Sequence, residues 1–138
     1  MSKTLVLWHG GCFDGFCSAW VARRKLGDNA DYVPVNYGEP PPDVTGRPLY
    51  ILDFSYKRDV MERMRQSVPM LTILDHHATA QVELDGFGRT EPNQETNVHC
   101  VFDMNKSGAR LTWEYFFRRE DTPWMVDYTE DRDLWRWK

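Results

Sequence analysis

The sequence has 138 residues, so one domain is the default expectation. At 41% hydrophobic and 14% aromatic it can build a core, and its net charge of −4 leaves no basic footprint for duplex nucleic acid. Cys12, Cys17 and Cys100 form no CxxC pair and no run approaches the ~18 apolar residues of a membrane span, which argues against a disulfide framework, a zinc knuckle or a membrane helix and fits a reducing cytoplasm.

Residues 4–8 (Thr-Leu-Val-Leu-Trp) form the first apolar run, a strand ending at His9. Gly10, Gly11 and Gly15 surround Cys12 and Asp14 in a glycine-rich link that lets the backbone approach a ligand closely. Ala19, Ala22 and Leu26 predict a helix over residues 16–26, stopped by Gly27. Residues 31–35 read as a second strand, placed near the sheet edge because Pro34 cannot donate a ladder hydrogen bond. Pro40, Pro41 and Pro42 mark an extended loop. Leu49–Leu52 is a third strand ending at Asp53. Ser55 is the expected cap of a helix carrying Val60, Met64 and Val68.

Residues 71–74 (Leu-Thr-Ile-Leu) read as a strand apolar on both faces, running straight into Asp75, His76 and His77. A short helix over residues 78–84, a polar loop over 86–97 and a strand over 98–104 follow. Ser107 is the expected cap of a helix to about residue 119. Thr122 and Pro123 start a last helix running into Trp135. Strand and helix alternate, which predicts a three-layer α/β/α fold around a mainly parallel sheet of about five strands.

Ligands of parallel sheets bind beyond the carboxyl ends of the strands. Three predicted strands end there in His9, Asp53 and Asp75-His76-His77, and Asp14 follows His9 closely. One reading of the triplet is a loop with exposed or hydrogen-bonded histidines. The other is a mixed oxygen and nitrogen site for a divalent cation, better suited to Mn²⁺, Co²⁺ or Mg²⁺ than to thiolate-held zinc. Such a cation would also reverse the local field for a small anionic substrate. In the last helix, about 100° per residue puts Trp124, Tyr128, Asp131 and Trp135 on one arc and Asp133 on the opposite side. A carboxylate in an aromatic stripe either meets a cation, bonds to Arg132 or a neighbouring helix, or is not buried.

These residues resemble the DHH phosphoesterase superfamily of RecJ-type exonucleases, nano-RNases, cyclic-dinucleotide phosphodiesterases and manganese-dependent pyrophosphatases. The motifs that carry the resemblance are His9-Gly10-Gly11-Cys12-Phe13-Asp14-Gly15, Ile51-Leu52-Asp53, Asp75-His76-His77 and Asp131-Arg132-Asp133, with Ser107-Gly108-Ala109 at a helix start. The resemblance implies two metals, Mn²⁺ by preference, about 3.5–4 Å apart. Asp53 would bridge them, His9 would serve the first, and Asp14, His76 and Asp131 would serve the second. His77 would contact the scissile phosphate and Asp75 would orient an imidazole, which makes them the candidate catalytic pair. The family's first motif usually has two acidic residues; Cys12 replaces one of them here, either as a thiolate ligand or as no ligand.

Family members usually carry a smaller C-terminal domain, whereas this sequence stops soon after its fourth motif. That leaves a fragment, a minimal form, or a homodimer burying Trp135 and Trp137 as the readings. The resemblance implies a two-metal hydrolase acting on a nucleotidyl phosphoester such as a short oligonucleotide or cyclic dinucleotide. A pyrophosphatase or polyphosphatase and a non-catalytic metal- or nucleotide-binding module are the alternatives.

Overall fold

The computed structural model describes residues 3–88, 96–118 and 121–134. Strands β1 (Thr4–His9), β2 (Ala30–Val35), β3 (Leu49–Leu52), β4 (Leu71–Asp75) and β5 (Val98–Phe102) form one sheet in the order β2-β1-β3-β4-β5. Every pairing is parallel: Leu7 lies opposite Val33 and Ile51, Ile51 opposite Ile73, and Ile73 opposite Cys100. The α-helices are α1 (Phe13–Leu26), α2 (Arg58–Ser67), α3 (Ala78–Glu83), α4 (Gly108–Phe117) and α5 (Trp124–Asp133), and a 3₁₀ turn at Gly27–Asn29 links α1 to β2.

Side chains of a strand alternate between faces, and both faces of this sheet are covered. Leu5, Leu7, Ile51, Leu71 and Ile73 meet Met61 and Met64 of α2, with Val68, Leu84 and Phe87 beyond the helices. Val6, Leu52 and Leu74 point the other way, onto Ala22 of α1 and Leu111 of α4. A third cluster joins Cys17 and Val21 of α1, Ala109 and Trp113 of α4, and Val126 of α5. The fold is therefore three-layered, α/β/α, as the alternating pattern predicts. Truncating one of the buried leucines or isoleucines to alanine costs about 2–5 kcal/mol.

Pro34 sits on β2, the edge strand, where its missing N–H costs nothing. Ser107 caps α4, its hydroxyl accepting from Arg110 N at 3.0 Å. Three expectations change. Helix α1 starts at Phe13 rather than residue 16, because Cys12 serves as its N-cap and its sulfur accepts from Gly15 N. Strand β5 ends at Phe102 rather than residue 104. Ser55 is no cap; α2 begins after Lys57 without a side-chain cap, and the Ser55 hydroxyl is used elsewhere. The predicted helical reach to Trp135 and the dimer contact through Trp135 and Trp137 lie outside the described residues. No described helix is long and apolar enough to cross a membrane.

Strand order reverses beside β1, which has β2 on one side and β3 on the other. This switch point opens the crevice at the carboxyl edge. His9 ends β1 and Asp53 follows β3, so they flank it from either side.

Candidate metal centre

The turn after β1 is fixed by close backbone approach. Gly10 N donates to Val35 O at 2.9 Å. A Cβ on Gly15 would fall 1.9 Å from His9 O, so only glycine lets the first turn of α1 lie on the strand end. Cys12 and Asp14 are thereby held over that end. Cys12 Sγ lies 3.3 Å from His9 Nδ1 and 3.1 Å from Asp53 Oδ2.

Asp14 is buried in the first turn of α1, and it is held from across the molecule. Its two oxygens accept from Gly108 N and Ala109 N, both at 2.9 Å. These are unpaired donors of the α4 N-terminus, where the helix dipole favours negative charge. Asp53 is 1% exposed and adopts a left-handed backbone at φ 58°. A Cβ on Gly108 would meet Asp53 Cβ at 2.7 Å, so α4 starts directly against this carboxylate.

Asp75 is fully buried at the end of β4. Ser55 Oγ donates to its Oδ2 at 2.7 Å, and His76 N donates to its Oδ1 at 2.8 Å. His77 Nδ1 lies 2.6 Å from the same Oδ1, which fixes the ring and leaves Nε2 uncommitted to Asp75. His76 is central: Nε2 lies 2.9 Å from Asp53 Oδ1 and 3.2 Å from Asp14 Oδ2, and Nδ1 lies 3.6 Å from Asp133 Oδ2.

The charges follow from this packing. Burial works against the His76 cation, but Asp14 and Asp53 raise its pKa to about 10. Burial also opposes the Asp53 carboxylate, yet hydrogen bonds from His76 and Cys12 and the nearby His9 imidazole, 3.7 Å away, hold it below the usual carboxylate range. Burial pushes Asp14 up to about 6, against His76 and Ala109 N–H, which favour its charged form. Cys12 rises to about 12 through burial and the neighbouring Asp53, so in the ion-free site it is a thiol. His77 is raised by its bond to Asp75.

Three groups of side chains can each offer ligand atoms within 4.8 Å of one another: His9, Cys12 and Asp53; Asp53, Asp75, His76 and His77; and Asp14, His76 and Asp133. Asp53 links the first two groups, and His76 links the last two. Among the described residues, only imidazoles form ion pairs with Asp14, Asp53, Asp75 and Asp133. Asp14, Asp53 and Asp133 thus share the single His76 imidazolium, and a divalent cation would relieve the cost of desolvating the buried carboxylates beyond what that one charge offsets. The nitrogen, oxygen and sulfur donors therefore fit a metal of the implied kind. A cleft of about 320 Å³, lined by Cys12, Phe13, Asp14, Thr129, Arg132 and Asp133, opens onto the cluster.

The sequence matches no family profile and no solved structure. It is 30% identical over 150 aligned positions to the uncharacterized protein R106 of Acanthamoeba polyphaga mimivirus. That match covers 97% of this chain and 34% of the viral protein, so the chain spans about a third of the length of this relative. The viral protein's name assigns no activity.

The structure brings His9, Cys12, Asp14, Asp53, Asp75, His76 and His77 to one place. It does not bring Asp131 there. Asp131 is exposed, and Asp133 is the α5 carboxylate beside His76, with its side chain 30% exposed. The aromatic arc of Trp124 and Tyr128 faces solvent instead, Trp124 being 75% exposed. The inward face is Val126, Thr129, Glu130 and Asp133, spaced i, i+3, i+4 and i+7. That spacing was readable, but three polar members and an outward aromatic pair disguised it. Ser55 and Glu130 were also missed as site residues. Buried Glu130 accepts from Ser107 N at 3.1 Å and from Arg110 Nε at 3.3 Å, tying α5 to the α4 end that holds Asp14.

Proposed function

We propose that this chain is a metal-dependent phosphohydrolase of the DHH type, acting on a nucleotidyl phosphoester such as a short oligonucleotide or cyclic dinucleotide. The observation that carries the reading is the convergence of Asp14, Asp53 and His76 with the Asp75–His77 pair at one sheet edge, where no lysine or arginine among the described residues neutralises them. His9, Cys12 and Asp53 would hold one Mn²⁺, and Asp14, His76 and Asp133 a second, with Asp53 adjoining both through His76. When bound, the ions would supply Lewis acidity, lowering the pKa of water and offsetting charge on a phosphoryl group.

The protein's own part is positioning. Asp75 fixes the His77 ring through Nδ1, so His77 Nε2 is free to hydrogen-bond a phosphoryl oxygen. Ser55 and His76 N occupy Asp75 and keep that geometry. The α4 N-terminus presets Asp14 as a carboxylate ready to ligate.

The test is release of p-nitrophenol from bis-p-nitrophenyl phosphate with Mn²⁺, alongside equilibrium dialysis of the metal. Metal-dependent release that stops on chelation is the expected result. Tight Mn²⁺ binding without release favours the binding-module reading. Absence of both binding and release refutes the assignment.

A further inference from the structure

Beside the cluster lies a second and larger cleft, about 530 Å³, between the loop after β2 and helices α2 and α3. We infer that this cleft seats a planar nucleobase of the substrate, an inference that rests on the phosphoester reading of the adjoining centre. Its volume lies within the range of small-ligand sites. Its inner wall is a run of aromatic rings. Tyr37 lies 4.4 Å from Phe54 at 33°, and Phe54 lies 4.9 Å from Tyr56 at 75°. Phe54 is buried and backs the wall, whereas Tyr37 is left 57% exposed. A large ring kept out in water against a rigid backing offers a stacking face at low ordering cost.

The cleft adjoins the centre through named side chains. Tyr37 contacts the His9 ring edge-on at 5.4 Å. Ser55 lines the cleft and donates to Asp75, the carboxylate that orients His77. A group bound here is therefore next to a phosphoryl group held at the cluster.

Charge decides what enters. Glu39, Asp59 and Glu83 line the cleft against a single Lys57. That field repels a second phosphate and favours a neutral ring whose N–H groups meet carboxylate acceptors. Pyrophosphate or polyphosphate would leave the aromatic wall unused and place anions among carboxylates.

Two measurements test this. The first is a ¹H–¹⁵N titration of the full chain with adenosine, which lacks phosphate. Shifts at Tyr37, Tyr56, Thr79 and Ala80 are expected; their absence overturns the ring site whatever happens at the metals. The second is calorimetry of the Mn²⁺-loaded chain with AMP and with ribose 5-phosphate. AMP is expected to bind about tenfold more tightly, the worth of one stacked base. That ratio should collapse towards one in Tyr37→Ala, which removes the face, and in Ala80→Trp, which fills the cleft from α3. Equal affinities in the wild type, or a ratio that survives both substitutions, overturn the inference. If adenosine shifts the cleft but ribose 5-phosphate does not bind the loaded chain, the ring site stands and the phosphoester reading fails.

Discussion

Asp53 reaches His76 with one carboxylate oxygen and Cys12 with the other, from a left-handed backbone that costs a non-glycine residue about 1–3 kcal/mol. Such strain persists only where surrounding contacts over-determine it, and here β4 and the start of α4 do so. Under the proposed function Asp53→Ala removes a donor common to two of the three ligand groups. Elemental analysis after dialysis should then find Mn²⁺ below one equivalent; two retained ions would sink the assignment. The α5 carboxylates separate in the same assay. Asp133→Asn should weaken Mn²⁺ binding at least ~10-fold, while Asp131→Asn changes stability by less than ~0.5 kcal/mol and leaves metal affinity alone. Cys12→Asp sets a carboxylate beside Asp53. The metal-free protein should melt lower through like-charge repulsion, and Mn²⁺ should raise its melting temperature more than it raises the wild type's. An unchanged metal response would place position 12 outside the coordination sphere.

The strands were legible because a parallel strand covered on both faces is written as an almost unbroken apolar run, and β1, β3 and β4 are such runs. Their polar ends were legible for the same reason: His9, Asp53 and Asp75 stand where apolarity stops. Helix α5 was not, because its phase was read from rings and its rings face water. Nor could the sequence tell a serine that caps a helix from one that holds a buried carboxylate, which is the difference at Ser55. The support of Asp14 by α4 was equally hidden, since its donors are backbone N–H groups that carry no side-chain signature. That support gives an element-level prediction. Ser107→Ala removes the cap of α4 and should cost about 0.5–2 kcal/mol. It should also weaken Mn²⁺ binding, because the donors to Asp14 lie in the turn that the cap fixes. Normal metal affinity in a destabilised Ser107→Ala protein would separate the helix cap from the site.

At the scale of the whole molecule, the cluster couples folding to protons and, under the proposed function, to metal. His76 has its pKa raised to about 10 in the folded, ion-free protein, against about 6.5 in an unfolded chain. Its proton therefore contributes stability that is complete below about pH 6.5 and is lost progressively as pH rises towards 10. His77, also raised, acts in the same direction. Asp53, held low, acts at the other extreme: its contribution is present above about pH 4 and is lost on acidification. Between pH 6.5 and 8.5 Asp53 stays ionised, so the histidines set the slope and the metal-free protein should lose thermal stability with rising pH. Under the proposed function a divalent ion would take the place of the His76 proton, so its binding would release protons and strengthen with pH. The increment in melting temperature on adding Mn²⁺ should therefore grow over the same interval in which the ion-free value falls. Calorimetric scans at pH 6.5, 7.5 and 8.5, with Mn²⁺ and with a chelator, give both slopes. A Mn²⁺ increment that is flat or shrinks with pH would mean that the ion does not displace the proton on His76, and that the site holding it lies elsewhere.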